Sequence, residues 1–222
     1  TTRSPVSIAN NLALIGSVAA NQGDYKTAGV FFREALTKLQ GTSRPARRAD
    51  VYFKMAEMEL AQNEYAKAEK YINEAYQLSG EKSLPFVEAE SHKLYGKLAA
   101  EQGDFKKSLN EYKKYDKLIS SESSANGIQA SIYLARAYHN LNSDSAFVFA
   151  QKAFAQIDSG RTKVGGLTFR AGFFGDYAKF YNEVAEWYIT QKNDARKAFE
   201  LVEAAKARVL MDKLAEAEDK LY

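Results

Sequence analysis

The sequence predicts an all-α chain, about five antiparallel helix pairs stacked as a right-handed superhelical solenoid, and three observations carry that expectation. The only prolines, Pro5, Pro45 and Pro85, stand 40 residues apart. Sliding the chain by 40 superposes Gly16, Ala56 and Gly96, and sets Gln22-Gly23-Asp24-Tyr25 over Gln62-Asn63-Glu64-Tyr65 over Gln102-Gly103-Asp104-Phe105. Between these landmarks apolar residues recur at steps of three and four, as in Leu12, Ile15, Ala19 and then Ala28, Phe32, Ala35, Leu39, which is the period of helices with a buried face. A hairpin of two such helices cannot bury both of its sides alone, so successive copies must stack.

The copies fall at about 5–42, 45–82, 85–124, 125–159 and 167–222, as one domain over 1–222. Each proline stands where a first helical turn tolerates a missing N–H, with Ser4 as the expected cap before Pro5. The Gly-Asp-Tyr or Asn-Glu-Tyr element ends the first helix, offers a capping carboxylate to the second and places an aromatic ring at the junction. Gly41, Gly80, Gly127 and Gly160 are expected to close the copies. Gly16, Ala56, Gly96 and Ala135 are expected to face Ala28, Ala68, Ser108 and Ala146, letting the two backbones of a pair approach closely. Large residues then fill the space between hairpins: Leu12, Tyr52 and His92; Ile15, Met55, Tyr95 and Leu134; Phe32, Ile72 and Tyr112. The fourth copy is one residue short, and the fifth is longer and looser, running through Asn193-Asp194 and Ala198 to Ala205.

Composition removes several function classes. The 222 residues are 45% hydrophobic, 27% charged and 13% aromatic, an allotment that buries a core and excludes general disorder. A net charge of +3 with both signs mixed gives no reason to expect a nucleic-acid or anionic-membrane partner. With no Cys, the chain contains neither a disulfide, nor a thiolate zinc site, nor a cysteine nucleophile; a reducing compartment is allowed and the cytoplasm is expected. No stretch reaches the roughly 18 apolar residues of a membrane span, and residues 1–10 do not read as a signal peptide. The start at Thr1 without Met suggests an internal fragment or a processed product of something longer.

Motifs that resemble catalytic or ligand sites fail on chemistry. Residues 160–167 (GRTKVGGL) begin like a phosphate loop, but Gly166 and Leu167 stand where Lys and Ser or Thr must reach phosphate and magnesium, so a connector is expected. Asn140, Asn142 and Asp144 have calcium-loop spacing, yet Ser145 replaces the required Gly and Gln151 the closing Glu; a tight turn is the reading there. His92 occupies the slot of Leu12 and Tyr52 and reads as a packed imidazole without a partner. Arg44, Arg47 and Arg48 read as a solvated loop, and Glu216, Glu218 and Asp219 as an acidic stretch on a long helix. No constellation marks an enzyme, and no cofactor or metal is expected.

The small residue midway along the first helix, the Gly-Asp-Tyr turn and the Ala, aromatic and Ala positions of the second resemble the tetratricopeptide repeat (TPR). The likeness covers nearly the whole chain, with 40-residue copies in place of the usual 34. It implies a protein or peptide partner. The run Ala198-Phe199, Glu203, Lys206-Ala207-Arg208 and Leu210 to Asp212, preceded by Phe169-Arg170, Phe173 and Tyr177, resembles the helices that join TPRs to a CHAT domain, a caspase-like peptidase. Since that chemistry needs a Cys and a His, the resemblance implies an effector domain beyond Tyr222. The clamp by which chaperone-binding members hold two carboxylates is absent: its positions carry Ala13 and Ser17, then Lys54, then Glu90 and Leu94.

Removing packing positions from the first helices leaves a strip expected to line a concave face. It comprises Asn10, Ala13, Ser17 and Asn21; Asp50, Phe53, Glu57 and Leu60; Glu90, Lys93, Lys97 and Glu101; Gln129, Ile132, Arg136 and His139. Such mixed polar and isolated apolar residues suit an extended peptide or a partner helix. Phe53, Lys93, Lys97 and Arg136 are expected to serve a ligand and to add little stability. The last helix is expected to run from Ala195 to Leu221, with Val209, Leu210 and Leu214 contacting a neighbouring domain. The function expected is a non-catalytic interaction scaffold that regulates a CHAT-like peptidase; the alternative is a peptide-sensing module of a bacterial signalling or transcription-regulating protein.

Overall fold

The computed structural model describes residues 4–82, 84–119, 125–163 and 167–219. Among them lie ten α-helices and no strand: α1 (Pro5–Asn21), α2 (Tyr25–Leu39), α3 (Pro45–Ala61), α4 (Tyr65–Lys82), α5 (Pro85–Glu101), α6 (Phe105–Leu118), α7 (Ala125–Asn140), α8 (Ser145–Lys163), α9 (Leu167–Lys192) and α10 (Ala195–Asp219). Consecutive helices pair as five hairpins. The chain forms two compact units, Thr1–Ile119 with three hairpins and Ser120–Tyr222 with two. The all-α, TPR-like solenoid fold is therefore as the periodicity implies.

One residue per hairpin turn adopts the left-handed conformation: Gly23, Asn63, Gly103, Asn142 and Asn193. These are the residue types that tolerate a positive φ. In the first four turns the next N–H reaches five residues back, from Asp24 to Ala19, Glu64 to Glu59, Asp104 to Ala99 and Ser143 to Tyr138, at 2.9–3.0 Å. That closure satisfies a carbonyl which the helix end would leave open. Asp24, Asp104 and Asp194 then cap the following helices, accepting from the backbone N–H of Thr27, Lys107 and Lys197. Glu64 instead pairs with Lys67 at 3.3 Å. Ser4 stands at the start of α1, but its side chain makes no capping bond. Gly41, with φ +71°, follows α2. Gly80, Gly127 and Gly160 do not close copies; they lie within α4, α7 and α8, whose packing outweighs a helix penalty of about 1 kcal/mol per glycine.

The small residues of the first helices lie opposite large ones. A Cβ at Gly16 would stand 2.7 Å from Phe32 Cε1, and one at Gly96 would stand 2.5 Å from Tyr112 Cε1. Each glycine thus makes room for a ring. In the second hairpin the same two registers hold Ala56 and Ile72, both fully buried: a narrower aliphatic side chain is matched by a methyl. In the unit Thr1–Ile119, one core gathers Ala13, Phe32 and Leu39 with Val51, Met55 and Met58 of α3, and a second gathers Phe53, Ile72 and Leu98. The core of Ser120–Tyr222 gathers Ile128, Phe147, Ile157, Phe180, Tyr181 and Trp187.

This pairing predicts that Gly16→Ala and Gly96→Leu each destabilise by about 1–3 kcal/mol through overpacking. Combining Gly16→Ala with Phe32→Ile recreates the Ala56–Ile72 pair, so urea unfolding should show the double variant to be more stable than the sum of the single losses allows. Additive losses would mean that the ring and the glycine are not matched.

Candidate binding surface

In the unit Thr1–Ile119 the first helices are neighbours, α3 packing against both α1 and α5. The 40-residue register therefore lines up Asn10, Asp50 and Glu90, then Ala13, Phe53 and Lys93, then Ser17, Glu57 and Lys97. Asn10, Asn21, Asp50, Glu57 and Glu101 are exposed, and Ser17, Glu90, Lys93 and Lys97 are half-buried. Lys54 approaches Asp50 to 3.9 Å, and Lys93 bonds Glu90 one turn away. Glu57 and Lys97 form no ion pair among the described residues. Ser17 and Asn21 of α1, Tyr25 and Phe32 of α2, and Lys54 and Glu57 of α3 line an open pocket of about 310 Å³.

Three members of the predicted strip in this unit are core instead. Ala13 is 3% exposed, Leu60 4% and Phe53 7%, the last inside the core shared by α3, α4 and α5. Phe53 therefore contributes to stability, against the expectation for it, because its face of α3 also meets α5. His92 has a partner that sequence reading missed. Its Nδ1 lies 2.6 Å from Glu111 Oε2, and Lys114 Nζ donates to Oε1 of the same carboxylate at 2.8 Å. Burial raises the Glu111 carboxyl, but the bonds from Lys114 and His92 outweigh it and hold the group below its ordinary range. The signal was present: the registers of His92 and Glu111 hold Tyr52 and Tyr71 in the previous hairpin, and those rings stack at 6.4 Å.

In the unit Ser120–Tyr222 the strip faces α9. Gln129 is exposed, and Ile132 is 7% exposed, part of the core. Arg136 makes a bidentate pair with Glu183, Nε at 3.0 Å from both oxygens and a terminal nitrogen at 2.7 Å, while its guanidinium lies 5.7 Å from the Phe180 ring. Such a fork joins α7 to α9, so Arg136 also has a structural task. His139 stacks on Trp187 at 4.2 Å. Phe180, Tyr181 and Trp187 are buried and Tyr177 and Tyr188 half-buried, so this stretch of α9 is largely covered by its own unit. The side chains of Phe169, Phe173, Phe174 and Val209 lie outside the described residues, as do Val164 to Gly166. Helix α8 runs on to Lys163, shortening the expected connector. Leu210 and Leu214 are 58% and 52% exposed.

Among the described residues no group of three or more His, Asp or Glu could hold a metal ion, and no helix is long and apolar enough to cross a membrane. No protein-family profile and no curated protein matches the chain. Solved structures do. BtubC (BKLC) from P. vanneervenii is 17% identical, with a TM-score of 0.69 over 96% of this chain and 82% of that one. The apo form of RapI is 14% identical, with a TM-score of 0.64 over 95% of this chain and 66% of that one. The nearly identical TPR-like repeats of a putative kinesin light chain from Podosopora anserina are 14% identical, with a TM-score of 0.60 over 94% and 97%.

Burial holds the His139 imidazole below its ordinary 6.5, against the pull of Gln191 and Glu183. The unfolded chain takes up this proton near 6.5 and the folded chain only at lower pH, so stability from this group is complete above 6.5 and falls as the solution is acidified. His139→Phe keeps a ring against Trp187 and removes the proton. Thermal unfolding between neutral and mildly acidic pH should therefore show a smaller drop for that variant; equal drops would count against the assignment. The repeated hairpins, their turns and the likeness to these structures together show a TPR-like helical-repeat fold.

Proposed function

We propose that this chain is a protein-interaction scaffold that holds an extended peptide or partner segment along its first helices. The observation that supports this most is the alignment of Ser17, Glu57 and Lys97 beside a pocket of about 310 Å³, where Glu57 and Lys97 have no ion pair among the described residues. Paired and core residues explain themselves by folding, as does Ser17, whose hydroxyl donates to the Ala13 carbonyl at 2.9 Å; Glu57 and Lys97 do not. Lys54, Glu57 and Lys97 offer both signs of charge to a backbone or to short side chains, with Phe32 and Tyr25 forming an apolar floor. The solved structures that the chain resembles share this helical-repeat fold, which supports the scaffold reading.

Within this reading the scaffold is the regulatory region of a larger protein whose effector is a CHAT-like peptidase. Its support is the run Ala198 to Asp212, of which Arg208 also has a local task, a bidentate bond to Asp158 at 2.8 Å. The alternative is a peptide-sensing module of a signalling or transcription-regulating protein. The parent reading frame separates them, through a mixed α/β stretch with His and Cys or through a kinase or DNA-binding pattern.

Binding is tested by selecting peptides from a random library on the chain and mapping their footprint by NMR. Glu57→Ala with Lys97→Ala should weaken a selected peptide at least about tenfold, equivalent to about 1.4 kcal/mol, while leaving the melting temperature unchanged. A footprint away from Ser17, Glu57 and Lys97, or unaltered affinity in a folded variant, would overturn the proposal.

A further inference from the structure

The pocket beside Glu57 lies between the first hairpin and the first helix of the second, so its walls belong to α1, α2 and α3. Its volume of about 310 Å³ gives room for one long side chain. Phe32 and Met58, both buried, form an apolar floor, with the half-buried Tyr25 beside them. The polar groups of the lining are one-sided in their chemistry. Helix α1 carries no charge. Lys54, the cation of the lining, approaches Asp50 one turn back to 3.9 Å, so Asp50, Lys54 and Glu57 together leave one negative charge on this face of α3. Ser17 donates its hydroxyl proton to the Ala13 carbonyl at 2.9 Å and can only accept from a ligand. The Glu57 carboxylate is exposed and accepts as well, with no ion pair among the described residues.

These properties discriminate between occupants. An apolar side chain would suit the floor, but it would take the Glu57 carboxylate out of water without a partner. An acidic side chain would meet a like charge. A lysine or arginine lays its aliphatic stem on Phe32 and Met58 and brings its charged tip to Glu57, where a charge-assisted bond forms. The Tyr25 ring attracts the same cation. The repeat register sets this groove apart from the one that follows: forty residues on, Lys54 and Glu57 become Leu94, which is core, and Lys97, which puts a cation where the first groove has a carboxylate.

We propose that this pocket takes a basic side chain of the partner segment, with Glu57 as its counter-charge. The assignment rests on the reading that a peptide lies along Ser17, Glu57 and Lys97, and it adds the chemistry that the first groove selects.

The test selects peptides from a random library twice, on the wild-type chain and on Glu57→Lys, and maps each bound peptide by NMR. Peptides selected on the wild type should share a Lys or Arg in contact with Phe32 and Met58, and that position should turn to Asp or Glu in peptides selected on Glu57→Lys. Replacing the shared basic residue of a wild-type peptide with norleucine keeps an aliphatic stem and removes the charge; affinity should fall at least about tenfold. Glu57→Gln should weaken the original peptide similarly and the norleucine peptide hardly at all, as a coupled pair requires. Circular dichroism checks that both variants fold; should Glu57→Lys fail, the nearly isosteric Glu57→Gln carries the test through the coupling measurement. Peptides bound along Ser17, Glu57 and Lys97 without a basic residue in the pocket, no exchange of sign in the second selection on a folded variant, or additive losses would overturn this inference and leave the scaffold reading standing. A footprint elsewhere would overturn both.

Discussion

Close approach of the two helices in a hairpin is the constraint on which the other features rest. Phe32 lies across Gly16 and Tyr112 across Gly96, each within van der Waals reach of the first helix's backbone. Ala56 and Ile72 solve the same packing with a different division of volume. Since interiors tolerate neither a void nor an extra methylene without cost, the two registers vary together along the chain. Once each pair is locked at that distance, the remaining apolar faces are turned toward the next hairpin, and stacking follows.

The same logic separates residues that hold the structure from those left over. Phe53, Arg136 and His139 lie on the strip that a partner would face, yet each also joins helices: Phe53 in the core of α3 to α5, Arg136 to Glu183 and His139 on Trp187. Ser17, Glu57 and Lys97 lie on corresponding faces without an ion pair or interhelical bond among the described residues. A surface that does work for a partner is most readily recognised where polar residues have no work to do for the fold.

Apolar as well as polar side chains meet water here: α1 exposes Leu14, Ile15 and Val18, and α10 exposes Phe199, Leu210 and Leu214. Exposed apolar patches of this sort mark contact surfaces more often than accidents of composition.

The repeat, the helix pairs and the turns were legible in the sequence because their signals are local. Pro5, Pro45 and Pro85 mark helix starts, and Gly23, Asn63 and Gly103 supply the positive φ that each turn needs. Which face of each first helix looks outward was legible only in part: Asn10, Asp50, Glu57 and Gln129 are exposed, whereas Ala13, Phe53, Leu60 and Ile132 of the same strip are core, because that face also meets neighbouring helices. Pairings between helices were decided only by the tertiary structure. His92 and Glu111 are 19 residues apart and Arg136 and Glu183 are 47 apart, so no periodicity within one helix joins them. The sequence alone likewise made Gly80, Gly127 and Gly160 the ends of copies, whereas they continue helices, because a glycine's local preference for ending one is worth only about 1 kcal/mol and packing of the surrounding turns exceeds it.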